Sequence, residues 1–563
     1  MTRLKNLYTH LIQNRLQAVR VWRKHYEGFT SEVKTIKAAL EQGRSLKDVE
    51  TYAGTSFERE DSPFDAFAEQ LIYRKDNGIA SSGLSILAWD DFRLFIGDPG
   101  FMDALAALIH EPSRTNFDAF RDRWWSFGKG RRPLLLNRVL AACTLDVSTT
   151  VDEGKFQGVY SWLLEEELIP QAGNAADDWH AKNVHLMSAL REHFKDELEA
   201  KKVSIHLLSI FVWELFVHMT NPFSLKKQVV RYGPPGTGKT HVAIENAKLR
   251  FAMWKTEFAP QGSQLPEEHI EKVQFHPSYG YEDFMEGLRP ALVDGKSFLR
   301  LQNGIFKDLC KRAARWELDV WRNASSDLVE KKWTALTISD LAPYKEKLRE
   351  PEWKTLLQHD PKKRVSEAVP PYFFIIDEMN RAELSRVLGE LMLCLEYRGI
   401  TGAVETQYAK MNDAETAMLA IAGGYRFFVP HNVYVIGTMN TIDRSVESFD
   451  FALRRRFRWE EVKPDTNVLR YNLEEQNRDS WLKIADDLDR LNEAIKDEPL
   501  LGPDYQIGHA YLMNLAYPAE FTHPQVRSAV WEDNIAPLIE EYLRGTGKTG
   551  ELLEVFEKAF GIR

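Results

Sequence analysis

Two hydrophobic textures divide the chain. As far as about residue 225, apolar positions such as Leu4, Leu7, Leu11 and Val19 recur at helical spacing, with Lys, Arg and Gln filling the other face. That stretch is predicted to be mostly α-helical. From about Gln228, short runs that are apolar throughout ("QVVRY", "KVQFHPSY", "YFFIIDE", "VYVIGTMN") alternate with helical patterns. Strands that are greasy on both faces and separated by helices predict a parallel sheet covered on both sides. Leu384, Val387, Leu388, Leu391 and Leu395 predict one helix packed on that sheet. A Trp-rich helical insertion is expected over about 311–370, and the pattern is helical again after about 465. The expected architecture is therefore α/β, with regions 1–225, 226–464 and 465–563.

The greasiest stretch, "SIHLLSIFVWELFVHM" (Ser204–Met219), is short for a bilayer and is interrupted by Glu214 and His218, so it predicts a buried helix and no membrane partner. The first residues lack the apolar core of a signal peptide. Composition adds little more. With 44% hydrophobic residues the chain can build packed cores, and its net charge of −10 excludes a globally basic nucleic-acid coat. The three cysteines, Cys143, Cys310 and Cys394, lie far apart with no CxxC pair. That argues against a disulfide framework or a thiolate zinc site and predicts a cytoplasmic location.

The candidate chemistry begins at "GPPGTGKT", Gly233, Pro234, Pro235, Gly236, Thr237, Gly238, Lys239 and Thr240, between a predicted strand and a predicted helix. Its glycines let successive N–H groups curl inward and, with the positive helix end, form an anion cradle. Lys239 would reach the outer phosphates of a nucleotide, and the Thr240 hydroxyl would ligate Mg²⁺. "YFFIIDEMNR" ends an apolar run with Asp377 and Glu378, at the edge where open α/β sheets bind ligands. Asp377 would hold the metal through water, and Glu378 would orient and deprotonate an attacking water. Asn440 ends the next strand and is expected beside the γ-phosphate or that water.

"ALRRRF" places three like charges side by side at Arg454, Arg455 and Arg456. Phosphoryl transfer spreads negative charge over the γ-oxygens, and an arginine delivered there typically gives 10³–10⁵ in rate. The run lies too far beyond Asn440 to fold easily onto its own nucleotide, so a neighbouring subunit's site is the expected target. Phe457 and Trp459 beside it predict a buried strand.

Together with "FHPSYGYEDFMEGLRP", "MNTIDRS" and "YQIGHAYL", these motifs resemble the AAA+ superfamily and, within it, the McrB family of nucleotide-driven motors of modification-dependent restriction systems. The resemblance covers about Gln228 to the C-terminus. It implies an AAA+ core, a helical lid over 465–563, GTP or ATP with Mg²⁺, and a homo-hexamer. It further implies DNA as substrate and an McrC-like nuclease subunit as partner. By the same resemblance, Asn440 and Asp443 position water and subunit contacts, Arg455 or Arg456 is a finger acting in trans, and His509 is where the lid approaches nucleotide. GTP is favoured over ATP because the best-known family member uses it. Tyr279, Tyr281, Glu282 and Asp283 match a family loop that could face a ring pore or a partner.

The N-terminal region shows no quotable likeness to the family's methylated-DNA reader. "RDRWWSFGKGRRP" (Arg121–Pro133) interleaves basic and aromatic residues, as a single-strand grip would, although core tryptophans beside a solvated loop explain it as well. "NRVLAACTLDVSTTVD" (Asn137–Asp152) contains no nucleophile–base pair at a telling spacing. An alternative reading keeps the AAA+ motor but makes it a protein remodeller whose N-terminal region binds protein.

Overall fold

The apolar runs from Gln228 onward build one five-stranded sheet. In chain order the strands are β1 (Gln228–Gly233), β2 (Ile270–Gln274), β3 (Glu286–Val293), β4 (Lys296–Asn303), β5 (Tyr372–Asp377), β6 (Leu419–Ile421), β7 (Gly424–Arg426), β8 (Val433–Asn440) and β9 (Arg458–Glu461). The sheet has the order β2-β5-β8-β1-β9 with every pairing parallel. This computed structural model describes the chain apart from residues 1–2, 14–15, 47–66, 74–77, 80–86, 173–177, 220–225, 259–268, 294–295, 325–327, 329–331, 422, 443–450 and 563.

Alternation along the strands divides their side chains between two covers. Val229, Phe373, Ile375, Tyr434 and Ile436 pack with Ala243 and Ala247 of the helix Lys239–Phe258. Val230, Phe374, Ile376 and Val435 face the other way, into a larger core with Leu309, Ala313 and Trp316 of the helix Ile305–Asn323. Burial on both faces is what the unbroken apolar runs require. Register then lines up the carboxyl ends: Gly233 pairs with Asn440 and Gln274 with Asp377.

The helices after residue 465 close on a core of their own, including Leu473, Trp481, Leu488, Ile495, Phe556 and Phe560. Their principal members are Thr466–Glu475, Lys483–Asp497, His523–Val530, Ala536–Tyr542 and Thr549–Phe560. With the sheet they make one compact unit, Pro222–Arg563.

Met1–Asn221 is the other unit, and its described elements are all helical. Side-chain caps set several starts: Asp98 accepts from Phe101 N at 2.7 Å, Asp152 from Lys155 N at 2.9 Å and Asp178 from Ala181 N at 3.0 Å. The helix Ile205–Met219 buries Leu207–Val212, as the greasy stretch predicts, and no described helix is long and apolar enough to cross a membrane. The stretch Ser148–Val151 is buried without regular structure, so side chains supply its hydrogen bonds. Ser148 N donates to Asn183 Oδ1 (2.8 Å), Thr149 N to Ser209 Oγ (2.9 Å), Trp179 Nε1 to Thr150 O (3.2 Å), and Asn137 Nδ2 to Val151 O (3.1 Å). The odd texture of that segment is therefore a packing solution.

Three details depart from the sequence pattern. The single helix expected from Leu384 is two pieces, Leu384–Leu388 and Leu391–Glu396, broken at Gly389 with φ 46°. There the Tyr281 ring lies 3.4 Å from where a Cβ would stand, and Glu390 accepts the Tyr281 hydroxyl, so a tertiary contact wins over the periodicity. Second, β3 and β4 form an antiparallel hairpin, as do β6 and β7, and neither was expected. Third, the insertion is held by its own buried carboxylate: Asp319 Oδ2 accepts from Arg349 N (2.8 Å), Glu350 N (2.9 Å) and Trp353 Nε1 (3.0 Å). Trp316 and Trp353 extend the sheet's core.

Candidate active site

Parallel register brings the motif residues to one edge. Thr240, in the first turn of the helix after the glycine loop, donates to Asp377 Oδ1 at 2.6 Å. Asn440 Nδ2 donates to Glu378 Oε1 at 2.7 Å, and Arg381 Nε stands 3.6 Å from the other oxygen of that carboxylate. Glu378 has φ 52° and ψ 46°, a left-handed backbone for a non-glycine residue that costs about 1–3 kcal/mol. The Lys239 ammonium is buried and donates to Gly233 O (3.1 Å), Pro234 O (2.7 Å) and Thr237 Oγ1 (3.3 Å). Thr237 in turn donates to Pro234 O at 3.0 Å, which tightens the loop. Hydroxyl and carboxylate oxygens of this kind suit a hard cation such as Mg²⁺, so Thr240 and Asp377 fit the ion the sequence implies.

The lid reaches the same loop through its backbone. Gly508 N donates to Pro235 O at 3.1 Å and Ala510 N to Gly236 O at 2.8 Å. Gly236 has φ 72°, and a Cβ there would stand 2.6 Å from the Tyr511 ring, so glycine is required twice over. His509 lies between these contacts. Its Nδ1 accepts from Asp465 N at 3.3 Å, which leaves the proton of the neutral ring on Nε2. That edge faces the loop, 3.6 Å from the position of a Gly238 Cβ, and burial lowers the ring's pKa below its ordinary value. Gly508 and Tyr511 were not singled out from the sequence; a glycine directly before the lid histidine is the signal that could have marked them. A Cβ on Gly508 would meet Gly236 C at 2.0 Å, against backbone that cannot yield. Gly508→Ala is thus expected to lift the lid segment off the loop and weaken nucleotide binding about tenfold, with faster amide exchange over 505–512. Unchanged affinity and exchange would contradict the docking.

The three arginines end the helix Phe451–Arg456, just before β9, and do not lie in a buried strand. Strand β9 is half-buried at the sheet's edge, where β1 is its one strand partner in the sheet. Arg454 stacks over Trp459 with Cζ 5.4 Å from the ring centroid. Arg455 and Arg456 both meet Glu396 Oε2, at 3.1 and 2.9 Å. Their exposures differ sharply: 65% for the Arg455 side chain and 11% for Arg456. Asp443 lies outside the described residues.

Of the family loop, Tyr281 is buried and anchored on Glu390, Asp283 pairs with Arg289, and Tyr279 stacks on Phe275 at 4.6 Å. With β3 and β4 the loop walls a polar cleft of about 370 Å³. In the N-terminal unit, Trp124 is buried, while Trp125 is held between Arg121 and Arg131, whose Cζ atoms lie 4.9 and 5.3 Å from its ring. Arg121 also pairs with Asp118 and Asp122, Arg123 with Asp98, and Lys129 with Asp91. Acids thus answer most of the basic residues that a phosphate grip would use.

Residues 228–457 match the family described as AAA domain (dynein-related subfamily), and residues 483–549 match the McrB alpha-helical lid domain. The chain is 33% identical over 326 residues to the "Type IV methyl-directed restriction enzyme EcoKMcrB subunit" of Escherichia coli (strain K12). That match takes in 57% of this chain and 54% of the relative, so the chain spans about half the length of the curated relative it matches. The phosphate loop and strands β1, β2, β5 and β8 of the sheet lie within the first match, and the lid segment that docks on the loop lies within the second. Through its AAA domain and lid, the chain is similar over residues 228–549 to the McrB family of AAA+ nucleoside triphosphatases.

Proposed function

We propose that this chain is a Mg²⁺-dependent GTPase or ATPase, GTP favoured by family resemblance, that assembles into a homo-hexameric ring. Its turnover drives DNA translocation and activates an McrC-like endonuclease against foreign, modified DNA. The observation that carries the catalytic part is the clustering of Thr240, Asp377, Glu378 and Asn440 within hydrogen-bond reach at one sheet edge. In this reading the loop N–H groups and Lys239 bind the phosphates, Lys239 exchanging loop carbonyls for phosphate oxygens. Thr240 and Asp377 hold Mg²⁺, which supplies charge neutralisation on the phosphates when bound. Glu378 takes a proton from the attacking water, and Asn440 orients that carboxylate. His509, through Nε2–H, adds a lid-borne donor to the phosphate side.

The ring is supported by the arginine run. Arg455 and Arg456 are held on their own chain by Glu396, and the more exposed Arg455 is the better placed to enter a neighbour's site. A cytoplasmic location fits these partners. Recognition of methylated DNA, suggested by the name of the E. coli relative, would fall to a part of the assembly outside residues 228–549.

A second reading has one observation behind it. The acid-compensated surface around Trp125 suits a protein better than a phosphate backbone, which favours a remodeller whose N-terminal unit docks protein. Steady-state turnover with GTP and with ATP, each with and without DNA and with the nuclease subunit, decides between them. DNA-stimulated hydrolysis is expected; stimulation by a protein partner alone would favour the remodeller. No turnover with either nucleotide would remove both.

A further inference from the structure

The residue that ties together Asp377, the last residue of β5, and Glu378, which follows it, is Thr438, which no motif or family match singles out. It is 2% exposed, inside β8, two positions before Asn440, so the two side chains share a strand face. Its hydroxyl donates to Asp377 Oδ1 at 2.6 Å, the oxygen that also receives Thr240. It accepts from Glu378 N at 3.4 Å. Thr240 Oγ1 is 3.4 Å away. Each hydroxyl has one proton, and both protons go to Asp377, so the threonines touch without bonding each other. The backbones are locked at this point: β5 pairs with β8 through Ile376 and Gly437, and a Cβ on Gly437 would stand 2.4 Å from Met379 Sδ.

We propose that Thr438 is a positioning residue for the nucleotide-bound divalent cation. By anchoring Oδ1 of Asp377 from the β8 side, it fixes the carboxylate's rotation, so that Asp377 would be held ready for the cation. By meeting the Glu378 amide, it steadies the strained residue that follows. Thr240 reaches the same oxygen from the helix after the glycine loop, so it does not hold the carboxylate from the β8 side. The inference rests on the reading of Asp377 and Thr240 as the metal-holding pair.

Its test is the binding of Mn²⁺, followed by its paramagnetic signal, to the full-length protein saturated with a non-hydrolysable guanosine triphosphate. Loss of such an outer partner typically lowers metal affinity about 10- to 100-fold. Thr438→Val, which keeps the shape and removes the hydroxyl, is expected to weaken Mn²⁺ by that factor. Nucleotide affinity in the presence of EDTA should not change, and Thr438→Ser should restore the wild-type value. A merely structural role would lower the melting temperature and metal-free nucleotide affinity instead. If Thr438→Val is poorly folded, Thr438→Ala carries the same expectation. Wild-type Mn²⁺ affinity in a folded hydroxyl-less variant overturns the proposal. If the wild-type protein with bound nucleotide holds no Mn²⁺, while Asp377→Asn and Thr240→Ala leave that unchanged, the metal-site reading itself fails and Thr438 falls with it.

Discussion

Glu378→Gln protein is expected to bind nucleotide and to assemble, yet to lose turnover by about 10²–10⁴-fold, the usual contribution of a positioned general base. The substitution keeps length and shape and removes the proton acceptor. It also meets Asn440 without penalty, since the amide oxygen of Gln can accept the same Nδ2–H bond that Glu378 Oε1 accepts at 2.7 Å. Thr240, Asp377 and Lys239 are not disturbed, so the binding half of the site should survive. Single-turnover hydrolysis beside equilibrium nucleotide binding separates the two. Near-normal hydrolysis in this variant would remove Glu378 from the chemistry, and lost binding would make it a structural residue. Asn440→Ala should fall between, because it leaves the base in place with its orienting partner gone.

The second large effect concerns the arginines. Arg455→Ala/Arg456→Ala subunits are expected to lose about 10³–10⁵ in turnover while retaining nucleotide. Lys239→Ala subunits should fail differently, by losing the phosphate site. Mixed together, the two dead proteins should recover activity, since a Lys239→Ala subunit still offers its arginines to a neighbour with an intact loop. Recovery should peak near equal proportions. Absence of rescue at every ratio would mean that each subunit completes its own site. Glu396 refines the test: both guanidiniums meet its Oε2, so Glu396→Ala should leave nucleotide binding intact and lower turnover only in assembled particles. An equal loss in isolated subunits would place the arginines in their own chain's site.

Much of this site was legible before any coordinates, because it is written locally. The glycines of 233–238, the strand ends at Asp377 and Asn440, and the helix beginning at Lys239 sit within a few residues of the features that mark them. What escaped was of another kind. Thr438 looks like one more β-branched strand residue until β5 lies beside it. Gly508 looks like any loop glycine until Gly236 is found against it. The broken helix at Gly389 has no local mark, because Tyr281 overrides a good periodic pattern, and the β3–β4 hairpin is set by cross-strand pairing. The aromatic-basic segment Arg121–Pro133 shows the reverse case. Its sequence advertises a cationic surface, and its neighbours Asp91, Asp98 and Asp118 answer most of that charge.

Periodicity and turn chemistry by themselves determined that strands 228–233, 372–377 and 433–440 would be covered on both faces, and that a glycine loop would join the first strand to its helix. Only the tertiary structure decided their order, β2-β5-β8-β1-β9, and therefore which side chains meet. Thr438 reaches Asp377 across 61 residues, and Arg455 reaches Glu396 across 59. The physical reason is that an apolar pattern reports that a face must be buried, without naming what buries it. Closing a loop of such length costs little more than closing a shorter one, so the chain carries no local mark of its distant partners.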